Sequence, residues 1–149
     1  PSSNSGNQAP RALFTAMGVE PDKDYKVTYS GKHDNSILGV ANKDYPAASI
    51  ANSVKSRMIS RGVIKEDQVK TIYKSQTFPT TGFGVAYNLK PELAAKVENA
   101  FFNFEWEGSS LLEEFSKSGE TQFIEMNYKD FWDVIRKIDA ANGVSYACE

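Results

Sequence analysis

Tyr25-Lys26-Val27-Thr28-Tyr29-Ser30-Gly31-Lys32-His33-Asp34-Asn35-Ser36-Ile37-Leu38-Gly39-Val40-Ala41 sets the expectation for the fold. Its first five residues alternate apolar and polar, as a strand with one buried face does. Ser30-Gly31-Lys32 reads as a turn, and His33 to Asn42 as a helix carrying Ile37, Leu38, Val40 and Ala41. Strand, turn and helix in succession form the repeating half of an α/β fold.

The same alternation continues outward. Upstream, Ala9 to Met17 reads as a helix with Ala12, Leu13 and Ala16 on one face; Gly18 stands at its C-terminal cap and Pro21-Asp22 follows as a turn. Downstream, Asp44-Tyr45-Pro46 ends the helix begun at His33. Ala47 to Ala51 reads as a short buried strand, and Asn52-Ser53 as the cap of a helix running to about Arg61, where Gly62 ends it. Gln68 to Lys74 and Phe83 to Tyr87 are the next expected strands. Pro91 opens a helix whose Leu93, Val97, Ala100, Phe101 and Phe104 keep helical spacing. Two more helices are expected over Ser109 to Phe115 and Lys129 to Ala141, the last burying Phe131, Trp132, Ile135 and Ile138. The aromatic residues near 101–106 and 128–132 read as core. The order implies an α/β fold with a mainly parallel sheet and flanking helices.

Composition narrows the function. With 149 residues, 40% hydrophobic and 24% charged, the chain is of ordinary globular type. A formal net charge of −2 argues against nucleic acid as the main partner, while a small oxyanion needs only a few local donors. The one cysteine, Cys148, makes neither an internal disulfide nor a metal site and does not fix the compartment. No apolar run approaches the roughly 20 residues of a membrane helix. The chain opens Pro1-Ser2-Ser3 without methionine, so a processed or truncated start is expected, and the lack of a signal peptide says nothing about export.

Four places carry residue types suited to an anion. Ser2-Ser3-Asn4-Ser5-Gly6 precedes a helix, where unpaired N–H groups and the helix dipole favour negative charge, hydroxyls and a carboxamide add donors, and glycine admits close approach. The same residues would equally serve as an ordinary helix cap. His33, the only histidine, offers a ring N–H to an oxyanion, or merely sits at a helix start. Asn52-Ser53 and Thr80-Thr81-Gly82 place neutral donors after strands, where open α/β sheets bind ligands, yet both also read as cap or turn chemistry. No phosphate loop, dinucleotide fingerprint, nucleophile elbow or HExxH is present. A Ser53–His33–Asp34 triad fails because adjacent residues do not point at one another.

Pro1-Ser2-Ser3-Asn4-Ser5-Gly6 resembles the Asp-Pro-x-Ser-Thr-Ser-Gly segment of periplasmic phosphate/phosphite/phosphonate-binding proteins of ABC transporters. Ser30 to Asn42 resembles that family's histidine-bearing helix start, and Ile72 to Pro79 its strand and return loop. The match runs in family order over essentially the whole chain. It implies a two-lobed class II periplasmic-binding fold, with residues 1–79 as the second, ligand-cradle lobe. Residues 80–149 would be the C-terminal part of the first lobe, whose N-terminal part is expected to be missing from this sequence.

By the same resemblance, Ser3, Asn4, Ser5 and Gly6 cradle the anion, His33 donates a further hydrogen bond, and Asn52, Ser53, Thr80 and Thr81 lie at the cleft. Acidic residues that phosphonate-binding members carry near the positions of Ser53 and Thr81 are absent, and Asn4 stands where threonine is usual. The implied ligand is phosphate, phosphite or a small phosphonate without an amine. No cofactor or metal is implied, and the implied partner is a membrane permease. The implied location is the periplasm, or the cell exterior as a membrane-anchored lipoprotein. An oxyanion-sensing module of a larger signalling protein is the alternative; a phosphate-ester enzyme would lack a base, a metal cluster and a nucleophile motif.

Overall fold

Short-range signals fix the helices of this chain. A computed structural model describes residues 1–77 and 82–144. Ser3 caps a single π-helical turn, Asn4–Gln8, which runs directly into α1 (Ala9–Ala16). Helices α2 (His33–Ala41) and α3 (Asn52–Ser60) follow. Beyond them come α4 (Pro91–Phe102), α5 (Ser110–Phe115), α6 (Tyr128–Phe131) and α7 (Asp133–Ala141).

Helices α1 and α3 close with the same device. Gly18 at φ +79° follows α1, where Gly18 N donates to Thr15 O and Val19 N to Phe14 O; Gly62 at φ +70° follows α3, where Gly62 N donates to Ile59 O and Val63 N to Met58 O. That bond pair defines a Schellman cap, and its left-handed residue is one that glycine adopts without strain. Proline sits in the first turn of α1 and of α4, where no intrahelical N–H is needed.

The chain divides into two units, one of Pro1–Gln76 with Asp133–Glu149, the other Thr77–Trp132. In the first, α2 packs on α3 around buried Ile37, Val54, Met58 and Ile64, with Leu38, Ala41, Ile50, Ala51, Ile59 and Val69 against them. Helix α7 packs on α1 and the π-helical turn, with Ala9, Ile135 and Ile138 buried. Asn142 Nδ2 donates to the Gln8 carbonyl at 3.1 Å, tying the end of α7 to the turn that precedes α1. Tyr45 lies flat against Gly39 of α2: a Cβ there would sit 2.3 Å from two atoms of the ring.

The second unit is held by aromatic rings. Phe83, Phe101, Phe104, Trp106, Phe115 and Phe123 form one cluster, its closest pair being Trp106 and Phe123 at 4.8 Å between centroids. The expectation that the aromatic residues near 101–106 and 128–132 are core is met only halfway: Phe101, Phe104, Trp106 and Trp132 are half-buried, while Phe102, Tyr128 and Phe131 are exposed.

The mainly parallel sheet is corrected outright. Among the described residues there is no strand, only an isolated bridge between Pro21 and Tyr25. The segments 25–29, 47–51, 68–74 and 83–87 do not form a ladder. Alternation reports which side chains turn inward, and it does so here: Tyr25 and Val27 are half-buried while Lys26 and Thr28 are exposed. A strand also needs a neighbour to accept and donate its backbone hydrogen bonds, and no described segment comes alongside these. Ile72 and Tyr87 are accordingly 79% and 100% exposed.

A second correction concerns the helix expected over Lys129 to Ala141. It is broken at Trp132 (φ −96°, ψ 5°), separating α6 from α7, and Phe131 stays 44% exposed. At the break the Trp132 ring packs closely against Gly82, leaving no room for a Cβ there.

Candidate functional site

Three helix starts meet in the first unit. The Ser3 hydroxyl accepts from Gly6 N at 3.1 Å and so caps the π-helical turn. His33 is the first residue of α2, and its Nε2 lies 3.5 Å from Ser3 Oγ and 3.4 Å from Ser5 Oγ. On the other side of the ring, Ala51, the residue that precedes α3, donates its backbone N–H to Nδ1 at 3.4 Å. Residues 18 to 30 positions away from His33 thus share its imidazole.

Each partner is held in place locally. Ser30 Oγ donates to the Lys32 carbonyl at 2.9 Å and pairs with Ser36 Oγ at 2.6 Å, while Asn35 Nδ2 donates to the Ser30 carbonyl at 2.9 Å. These bonds fix the turn that delivers His33. Behind the serine loop lies Asn7, a buried polar residue. Its Nδ2 donates to the Pro1 carbonyl at 2.6 Å, and its Oδ1 accepts from Arg11 Nε at 2.9 Å and Tyr29 OH at 3.3 Å. The hydrogen bond from Arg11 to Tyr29 holds the guanidinium still further on its protonated side, against the opposing effect of burial. The loop of Ser3 and Ser5 is therefore anchored from its rear.

Chemically the junction is a set of donors. Ser3 Oγ uses a lone pair on Gly6 N, which leaves its proton to give. The contacts from Nε2 to the two hydroxyls exceed the roughly 2.9 Å optimum of a nitrogen–oxygen hydrogen bond, so neither satisfies the ring fully. Gly6 keeps the centre open: a Cβ would come within 3.1 Å of Ser3 Oγ and 3.2 Å of His33 Cε1. Among the described residues, no carboxylate hydrogen-bonds the imidazole. No group of three or more His, Cys, Asp and Glu side chains among the described residues could hold a metal ion.

The sequence-expected residues fare unequally. Ser3, Ser5, Gly6 and His33 come together. Asn4 lies in the same turn but is exposed. Asn52 and Ser53 were expected to cap α3; the structure gives that position to Ala51 and makes them its first two helical residues, Asn52 exposed and Ser53 half-buried. Thr80 and Thr81 lie outside the described residues. Sequence reasoning missed Ala51, which acts through its backbone and so carries no side-chain signal. It also missed Asn7, for which a carboxamide inside a helical start was the available clue.

The junction joins helix starts, serine hydroxyls and one imidazole, and likeness to known proteins defines the class. Residues 1–131 match the family described as ABC transporter, phosphonate, periplasmic substrate-binding protein, and the chain belongs to that family. The members of this family are transporter substrate-binding proteins, not enzymes. Among curated proteins, the chain is similar to the phosphate-import protein PhnD of Mycolicibacterium smegmatis, at 28% identity over 160 residues, covering 100% of this chain and 48% of that protein. The chain therefore spans about half the length of the relative it matches. No solved structure matches it. No helix among the described residues is long and apolar enough to cross a membrane.

Proposed function

We propose that this chain carries the oxyanion-binding element of an ABC importer's substrate-binding protein, acting on phosphate, phosphite or a small phosphonate. The observation that carries the reading is the meeting of Ser3 and Ser5 with His33 Nε2 at 3.5 and 3.4 Å, at the start of two helices. A tetrahedral oxyanion brings several acceptor oxygens to one point, and hydroxyls, an imidazole N–H and helix-start N–H groups supply matching donors. Gly6 borders the same place, and Asn4, Asn52, Ser53, Thr80 and Thr81 are assigned to the site by their position in the sequence. The cradle lies in the unit formed by Pro1–Gln76 with Asp133–Glu149. The relative named for phosphate import supports the ligand class.

Among the described residues, no acidic side chain hydrogen-bonds His33. A ligand ammonium would find no counter-charge in those bonds, so we take the ligand to be one without an amine. The protein works in the periplasm or on the outer face of the cell and passes its ligand to a membrane permease. Calorimetry tests this directly: phosphate, phosphite and methylphosphonate are expected to bind more tightly than aminoethylphosphonate. Preference for the aminoalkyl ligand would refute the assignment.

A further inference from the structure

We propose that Ala51 is a positioning residue whose backbone N–H holds His33 in the tautomer that carries its proton on Nε2, so that the imidazole presents a fixed donor to the serine cradle. The geometry of the ring carries this. An amide N–H can only donate, and that of Ala51 faces Nδ1 at 3.4 Å, so Nδ1 must offer its lone pair. The ring proton then resides on Nε2, the atom 3.4 to 3.5 Å from both hydroxyls. In the other tautomer two N–H groups would confront each other across the Ala51 contact, and Nε2 would turn a lone pair towards the site.

The device is set by backbone, not by a second side chain. Ala51 has extended dihedrals (φ −74°, ψ 128°) and immediately precedes α3, so its N–H is not consumed within the helix. Its own carbonyl accepts from Val54 N at 3.1 Å, and the residue packs against the Ile37–Val54–Met58–Ile64 core. The donor is thus fixed by the packing of α2 on α3. The consequence for an anion is directional: His33 cannot invert its donor and acceptor edges to suit a ligand that presents a proton to Nε2. This last consequence rests on the oxyanion reading above; the tautomer itself does not.

His33 is the only histidine in the chain, so its ring nitrogens give unambiguous signals. Long-range nitrogen–proton NMR of the full chain without ligand, under mildly alkaline conditions where free imidazole is neutral, should show a protonated Nε2 and an unprotonated Nδ1. Averaged signals for the two nitrogens, or a protonated Nδ1, would overturn the proposal. Replacing the Ile50–Ala51 amide by an ester, which removes only the N–H, should let both tautomers populate; a spectrum still purely Nε2-protonated would equally overturn it. With phosphate as probe, H33Q, which restores a donor near Nε2, should retain most of the affinity. H33N, which restores only the acceptor for Ala51, should lose roughly tenfold or more, and the reverse order counts against the proposal. Should the unmodified chain bind no phosphate, the functional reading fails while the imidazole spectrum still decides the tautomer.

Discussion

Gly6→Ala separates folding from binding at this site. The added methyl would stand 3.1 Å from Ser3 Oγ, 3.2 Å from His33 Cε1 and 3.3 Å from Ser3 Cβ. Carbon atoms in contact prefer about 3.5 to 4.0 Å, so the neighbours must yield by several tenths of an ångström. Ser3 is restrained by Gly6 N and His33 by Ala51 N, and the cheapest response is for the two side chains to move apart. The stability terms nearly cancel. Alanine gains about 1 kcal/mol over glycine within a helix, and mild overpacking costs about 1 kcal/mol. Binding has no such compensation, because one hydrogen bond to a charged ligand is worth about 1.5–3 kcal/mol. The expected result is a denaturation midpoint close to wild type with phosphate affinity reduced by roughly tenfold or more. Unchanged affinity would refute the idea that the spacing of Ser3 and His33 forms the site.

Three further outcomes are expected. Gly39→Ala should destabilise the first unit by about 1–2 kcal/mol in urea unfolding, because the Tyr45 ring 2.3 Å from the new methyl must be displaced and that cost exceeds the helix-propensity gain. Asn7→Leu should lower stability by about 1–2 kcal/mol, since Arg11 and Tyr29 regain water while the Pro1 carbonyl loses its partner; phosphate affinity should fall with it, whereas an Asn7→Leu variant with unchanged affinity would show that the rear anchor is idle. The hydrogen bond from Lys137, opposed by burial and aided by the charges of Lys137 and Arg136, holds the Asp133 carboxyl below its ordinary value of 3.8. A depressed carboxyl contributes stability above the ordinary value and loses it as pH falls through the folded one. Acid titration followed by circular dichroism should therefore show a shallower acid limb for Asp133→Asn.

The helices were legible because their signals are local. Gly18, Gly62 and Pro91 each stand within one turn of the end they mark, and the bounds of α1, α2 and α3 follow within a residue of expectation. The sheet was misread because pairing is not local: Tyr25 to Tyr29 has the alternation of a strand, but a ladder depends on which chain segment lies beside it. Helical spacing likewise carried on through Phe131, Trp132 and Ile135, while the contact of the Trp132 ring with Gly82, about 50 residues away, left no local signal at the break. At the site, the residue types of Ser3, Ser5 and His33 signalled an anion, each alone readable as a cap. Their convergence across 28 to 30 residues was not in the local pattern and entered only through resemblance. Ala51 was beyond sequence reading altogether, since every residue but proline has a backbone N–H.

An oxyanion held where Ser3, Ser5 and His33 meet would be seen in residue-resolved NMR of the full chain titrated with inorganic phosphate. Saturable shifts are expected at the amides of Ser3 to Gly6, His33 and Ala51, with the aromatic cluster of residues 83–123 unmoved. Shifts confined to other residues, or none at the cradle, would contradict that placement.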